Sequence, residues 1–124
     1  MGETKIQSYK DLIVWRKSTD LAVKIYDLTS QFPKEELYGL TSQMRRSAVS
    51  IPSNISEGRH RSTRRDFSQF LRIAYGSGAE LETQIEISKR LSFSKKLDYN
   101  AVDNLLNEIM RMLNTMISNL KALS

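Results

Sequence analysis

Arginine is the residue whose placement in this sequence most clearly indicates chemistry. Seven arginines lie between residues 45 and 72, a stretch with only two carboxylates, Glu57 and Asp66. They are Arg45, Arg46, Arg59, Arg61, Arg64, Arg65 and Arg72. This stretch accounts for the whole formal charge of +5, because basic and acidic residues cancel elsewhere. Since the planar guanidinium pairs well with phosphate oxygens, a clustered arginine surface on a basic protein indicates nucleic-acid binding.

Two other uses of the arginines stay open. They can be solvated surface charges, or they can form ion pairs with neighbouring subunits or an acidic protein partner. No aromatic residues are interleaved with them to make a stacking surface for bases. The leading interpretation is therefore a nucleic-acid-binding protein, RNA-directed, that contacts phosphates with little dependence on base sequence. The alternative is a homo-oligomeric protein-interaction scaffold.

Residues able to support catalysis are scarce. The single histidine, His60, lies among the arginines, whereas a general base needs burial and an orienting partner. The absence of cysteine excludes thiol catalysis, disulfides and zinc–thiolate sites. Glu80, Glu82 and Glu86 lack the accompanying Glu-x-x-His motif of carboxylate metal sites, and Gly76–Gly78 follows no strand, as a phosphate-binding loop would. We therefore predict a protein that is not an enzyme and that uses no cofactor or metal.

The N-terminal residues and the hydropathy pattern predict neither export nor a membrane partner. Residues 1–10 are polar and lack the apolar core of a signal peptide. No apolar run approaches the roughly 20 residues that a membrane-spanning helix needs. A cytoplasmic location is expected.

Apolar residues at helical spacing predict four helices, over about residues 11–30, 34–58, 63–91 and 98–122. Asp11 is expected to cap the first, and Pro52 to kink the second before it stops at Gly58. Thr63 or Asp66 is expected to cap the third. Because the connections are short, the helices should be antiparallel neighbours. The prediction is an all-α, up-down-up-down four-helix bundle as one domain over residues 1–124, with 1–10 loosely ordered.

The predicted interior includes one polar feature. Trp15 and Tyr26 are assigned to the core, and the third helix carries two apolar seams, one through Leu71 and Leu81 and one through Ile73 and Ile87. Glycine inside a helix costs about 1 kcal/mol relative to alanine, so the Gly76–Gly78 run predicts close approach of the second helix. A hydrogen-bonded polar cluster between these helices is expected, with a ligand site as the alternative. Its predicted members are Ser50, Asn54, Glu57, Glu80 and Gln84.

The order of several motifs also resembles a known bacterial family. The motifs are residues 11–15, Phe32-Pro33, residues 36–40, the long run from Gln43 to Gly58, residues 70–77 and residues 80–84. Together they resemble the four-helix-bundle proteins encoded in intervening sequences of 23S ribosomal RNA genes. The resemblance implies a homopentamer, and a relation to the accessory proteins of diversity-generating retroelements, which bind a reverse transcriptase and nucleic acid. It implies no catalytic residue.

Overall fold

The computed structural model describes residues 12–123, which form four α-helices joined by short segments. The helices are α1 (Ile13–Thr29), α2 (Ser42–Arg59), α3 (Arg64–Lys89) and α4 (Asn100–Leu123). A 3-10 turn (Lys34–Glu36) and a π-helical turn (Leu37–Thr41) precede α2, and a second 3-10 segment (Ser92–Lys96) precedes α4. The predicted cap Asp11 and the segment 1–10 lie outside the described residues. Within 12–123 there is no strand, and no helix is both long enough and apolar enough to cross a membrane.

The helices form the predicted antiparallel up-down-up-down bundle. Each packs against the next along the chain, and α1 packs against α4 to close the arrangement. The α1–α2 and α3–α4 connections lie at the same end, where the rings of Phe32 and Phe93 pack with centroids 4.7 Å apart. Because the connections are short, each helix must run antiparallel alongside the one before it, and the topology follows from this.

All four helices contribute to one apolar core. Among its fully buried members are Val14, Leu21, Ile25, Met44, Ile51, Ile55, Leu71, Leu81, Leu106, Ile109 and Leu113. Of the two seams predicted on α3, the one through Leu71 and Leu81 is buried, whereas Ile73 and Ile87 are 46% and 47% exposed. The assignment of Tyr26 to the core is wrong, because its side chain is 45% exposed beside α2; Trp15 is partly buried against the core.

The α2 region differs from prediction in its irregularity. A kink at Pro52 is not shown: Pro52 is buried inside α2, which continues to Arg59. The departure from helical dihedrals lies earlier, at Gly39, with φ −113° and ψ −110°. Because glycine has no Cβ, the chain can change direction there before α2 begins. Thr63 caps α3 as predicted, its hydroxyl accepting a hydrogen bond from the backbone N of Asp66 at 3.1 Å.

The glycines mark close helix contacts at places other than those predicted. A Cβ added to Gly58 would lie 2.7 Å from Cβ of Phe70, so Gly58 permits the close approach of α2 and α3. Gly78 instead faces Met110 of α4, and Gly76 has open space around it. Helix α2 does approach the Gly76–Gly78 run, where Ser50 and Ser77 hydrogen-bond at 2.8 Å, but neither glycine makes room for it.

Candidate nucleic-acid interface

The seven arginines fall into two groups on the bundle. Arg45 and Arg46 lie near the start of α2. Four of the others lie at the α2–α3 connection at the opposite end, and Arg72 follows about two turns into α3. We call the second group the basic end; it comprises Arg59, Arg61, Arg64, Arg65 and Arg72. Arg46 and Arg59 are thirteen helical residues apart, which is about 20 Å at a rise of about 1.5 Å per residue. The arginine patch predicted from the sequence is therefore two surfaces.

Three arginines of the basic end are available to a ligand. Arg64, Arg65 and Arg72 are exposed on α3 and form no ion pair with any other residue in 12–123. Arg65 and Arg72 are seven residues apart, so they lie on one face of the helix two turns apart.

The position of Arg64 and Arg65 is electrostatically unfavourable for the isolated chain. Both lie in the first turn of α3, where the positive end of the helix dipole disfavours cations. Asp66 is the single carboxylate in that turn. Backbone N–H groups at a helix start also attract anions. The arginines and the helix end thus favour the same kind of ligand, a phosphate.

Arg61 is held in place by neighbouring side chains. Its guanidinium forms an ion pair with Glu57 at 2.6 Å and lies over the ring of Phe70, 4.8 Å from the centroid. Glu57 therefore pairs with the connection and does not join the predicted polar cluster. The exposed pair contributes little to stability, but it orients Arg61 toward the α3 side of the basic end.

Arg45 has a structural role at the other end. Its Nε donates to the hydroxyl of Thr29 at 2.8 Å, and its guanidinium lies 4.5 Å from the ring centroid of Tyr26. Both contacts tie the start of α2 to the end of α1. Arg45 is thus engaged within the bundle, whereas Arg46 is exposed and forms no described ion pair.

The polar cluster between α2 and α3 forms with different membership. The hydroxyls of Ser50 and Ser77 hydrogen-bond at 2.8 Å, and the amide of Asn54 donates to the carbonyl and hydroxyl oxygens of Ser50 at 2.9 and 3.0 Å. Ser77 is missing from the predicted set, although it lies in the Gly76–Gly78 run that α2 was expected to approach. Glu80 and Gln84 lie further along α3 and line a cleft.

This cleft, which we call the α2–α3 cleft, has a volume of about 480 Å³. Its lining residues are Tyr38, Ser42, Gln43, Arg46, Ser47, Ser50, Glu80 and Gln84. A second groove of about 660 Å³ lies on the α1 side, sharing Tyr38 and Arg46 and including Tyr26, Leu37 and Val49. Tyr38 is not among the predicted binding residues; the sequence singles it out only with Gly39 and Leu40, near a helix start, as a possible subunit contact.

His60 and the carboxylates were the residues considered for catalysis and metal binding. His60 is exposed, and its Nδ1 lies 2.8 Å from the carbonyl oxygen of Ser56, so Nδ1 carries the proton and donates it. Nowhere in residues 12–123 do three or more histidine, aspartate or glutamate side chains come together in a way that could hold a metal ion.

One known family matches most of the chain. The model of the 23S rRNA-intervening sequence proteins matches residues 10–115. The chain belongs to this family. No curated protein matches the chain.

A solved structure is similar to this chain over most of its length. It is the crystal structure of a protein of unknown function from the S23 ribosomal protein family of Bacteroides thetaiotaomicron. The two share 29% sequence identity with a TM-score of 0.77, and the match covers 85% of this chain and 98% of that chain. Since the function of that protein is unknown, the match extends to fold and family and leaves the activity to the site itself.

Proposed function

We propose that this 23S rRNA-intervening sequence protein is an oligomeric, non-catalytic nucleic-acid-binding protein that holds RNA by its phosphates. The observation that carries the proposal is the basic end, where Arg64, Arg65 and Arg72 are exposed without ion-pair partners among the described residues. Arg59 and Arg61 extend that surface. Arg46 adds a separate contact near the start of α2, while Arg45 serves the fold.

Physical arguments favour a phosphate ligand over a general acidic surface. Two arginines in the first turn of α3 oppose the helix dipole, so the free bundle gains no stability from them. A phosphate at that helix end would accept from backbone N–H groups and from guanidinium groups together. If several subunits of a ring each present one basic end, contacts that are weak singly become strong together.

The decisive variant is the triple replacement Arg64→Gln, Arg65→Gln and Arg72→Gln. We expect it to lower the affinity for a structured RNA at least tenfold, measured by fluorescence anisotropy at several salt concentrations. The slope of log affinity against log salt should become less steep by about 2, because each lost phosphate contact contributes about 0.7 to 0.9. Circular dichroism should show an intact helical bundle, since none of the three side chains is buried.

A matched control removes the same charge from the opposite end. Lys34, Lys95 and Lys96 are exposed in the two connections there. Their replacement by glutamine changes the net charge equally, and we expect the RNA affinity to fall less than threefold. Equal losses in the two triple variants would show that net charge, and not the basic end, governs binding, and would refute the assignment.

A protein-interaction scaffold is the second candidate, favoured by exposed apolar side chains on α3 and just after it. Ile73, Ile87 and Leu91 face away from the core, where a neighbouring subunit could cover them. Light scattering in low and high salt separates the two arrangements. An oligomer held by the arginines should dissociate in high salt, whereas an oligomer whose basic ends face solvent should keep its mass.

A further inference from the structure

The α2–α3 cleft contains a buried polar atom with no hydrogen-bond partner. The side-chain oxygen of Gln84, Oε1, is inaccessible to solvent and unpaired, and it is the single such side-chain atom among the described residues. Leaving a buried acceptor unsatisfied costs about 1–3 kcal/mol. Because native proteins rarely keep such groups without a reason, the Gln84 side chain would gain a hydrogen bond by turning outward to a donor in the cleft.

The charged residues around Gln84 indicate what kind of ligand could supply the hydrogen-bond donor. Glu80 lies one helical turn before Gln84 on α3, so their Cβ atoms are about 5–6 Å apart on the same wall. Neither Glu80 nor Arg46 forms an ion pair with another residue in 12–123, although both line the cleft. The α3 wall thus presents two acceptors side by side, and the α2 wall presents a cation. Glu80 would repel a simple anion. A ligand with two adjacent N–H donors and a separate negative group could instead donate to Glu80 and Gln84 and pair with Arg46.

An aromatic ring stands at the mouth of the cleft. The side chain of Tyr38 is 93% exposed, and the chain leaves its helical course at the next residue, Gly39. An exposed ring next to a polar cleft offers a flat surface on which a nucleobase can stack, a contact worth about 1–3 kcal/mol per base. The volume of about 480 Å³ falls within the range of about 300–1,000 Å³ that small-molecule sites occupy.

We propose that the α2–α3 cleft binds one unpaired guanine of the RNA. The guanine N1–H and N2–H₂ groups donate to the carboxylate of Glu80 and, once the Gln84 side chain has turned toward the cleft, to its Oε1. Tyr38 stacks on the base, and Arg46 contacts the adjoining phosphate. The inference rests on the proposed RNA-binding function and adds a base preference to it, since the basic end by itself does not distinguish bases.

The location of the cleft suits a strand already held at the basic end. Both sites lie on α2 and α3, and about 20 Å along the helices separates Arg46 from Arg59. A strand that contacts phosphates at the basic end can therefore place a nearby loop nucleotide in the cleft of the same subunit.

The test compares two RNAs that differ in one exocyclic group. One hairpin carries a guanine in its loop, and the other carries inosine there, which keeps N1–H and lacks the N2 amino group. We expect inosine to weaken binding to the wild-type protein five- to tenfold, and to weaken binding to the Glu80→Gln variant less than twofold. Glu82→Gln is the matched control, because Glu82 lies on α3 outside the cleft and should keep the full inosine penalty. Tyr38→Ala should weaken binding of both hairpins about equally, since it removes stacking and leaves the donors and acceptors in place.

A second measurement separates failure of this site from failure of RNA binding as a whole. Guanosine 5′-monophosphate alone is titrated into the ¹⁵N-labelled protein, and we expect backbone shifts for residues 38–47 and 80–84, with smaller shifts for the adenosine, cytidine and uridine monophosphates. Salt-sensitive RNA binding with no guanine preference and no such shifts overturns the cleft assignment and leaves the basic end supported. Guanosine-dependent shifts without RNA binding support the cleft as a guanine site and overturn the basic end as an RNA surface. A changed oligomeric mass for Tyr38→Ala would place Tyr38 in a subunit contact and would also overturn the cleft assignment.

Discussion

Replacing Leu81 by alanine should lower the free energy of unfolding by about 2–5 kcal/mol. The Leu81 side chain is completely buried in α3, in the seam that faces the apolar core. Its truncation removes apolar contacts and leaves a cavity that rigid helices fill only in part. Urea unfolding followed by circular dichroism, at two protein concentrations, measures the change.

Ile73→Ala is the matched control for this prediction. Ile73 lies on the same helix in the alternative apolar seam, and its side chain is 46% exposed. We expect a change within about 0.5 kcal/mol, as for surface substitutions generally. Comparable losses for the two variants would mean that α3 is rotated about its axis relative to the structure. A loss for Ile73→Ala that depends on protein concentration would assign this seam to a subunit interface.

Alanine substitutions at Gly58 and Gly76 should change stability in opposite directions. At Gly58 the new Cβ would lie 2.7 Å from Cβ of Phe70 and 3.1 Å from Cδ1 of Phe67, so α2 and α3 must move apart. Such overpacking costs about 1–3 kcal/mol, and the better helix propensity of alanine offsets about 1 kcal/mol. The expected result is a net loss of up to about 2 kcal/mol, seen as a lower midpoint of thermal unfolding.

Gly76→Ala provides the comparison, because nothing lies within 4 Å of its added Cβ. Here the propensity gain is unopposed, and we expect stabilisation of up to about 1 kcal/mol. Destabilisation by Gly76→Ala would contradict the open environment of this glycine. Stabilisation by Gly58→Ala would contradict the close α2–α3 contact.

The fold could be predicted because its determinants are local. Helical spacing of apolar residues, two prolines and short connections each act over a few residues, and together they require an antiparallel four-helix bundle. The capping of α3 by Thr63 is local in the same sense, since a hydroxyl three residues before a backbone N–H finds it within one turn. No knowledge of distant residues was needed for these features.

The rotation of each helix about its axis could not be predicted in this way. Helix α3 carries two seams of similar apolarity, and only the packing of α2 and α4 on either side determines that Leu81 is buried and Ile73 exposed. Tyr26 was misplaced for the same reason, because a residue at the edge of an apolar stripe lies inside or outside according to its neighbour. The glycines depend on packing too: Gly58 and Gly78 meet side chains of other helices, and Gly76 meets none.

The candidate site, too, was predictable in part from the sequence and in part only from the packing of the helices. Composition and position in the sequence indicated that arginine is the residue to study and that the excess charge is confined to residues 45–72. Only the tertiary structure separated these arginines into two surfaces, engaged Arg45 with Thr29, and left Gln84 unpaired beside Glu80 and Arg46. The charge of a side chain is fixed by its residue type. Whether that side chain is free to bind a ligand depends on which partner lies within about 3 Å of it, and the packing of the helices determines that partner.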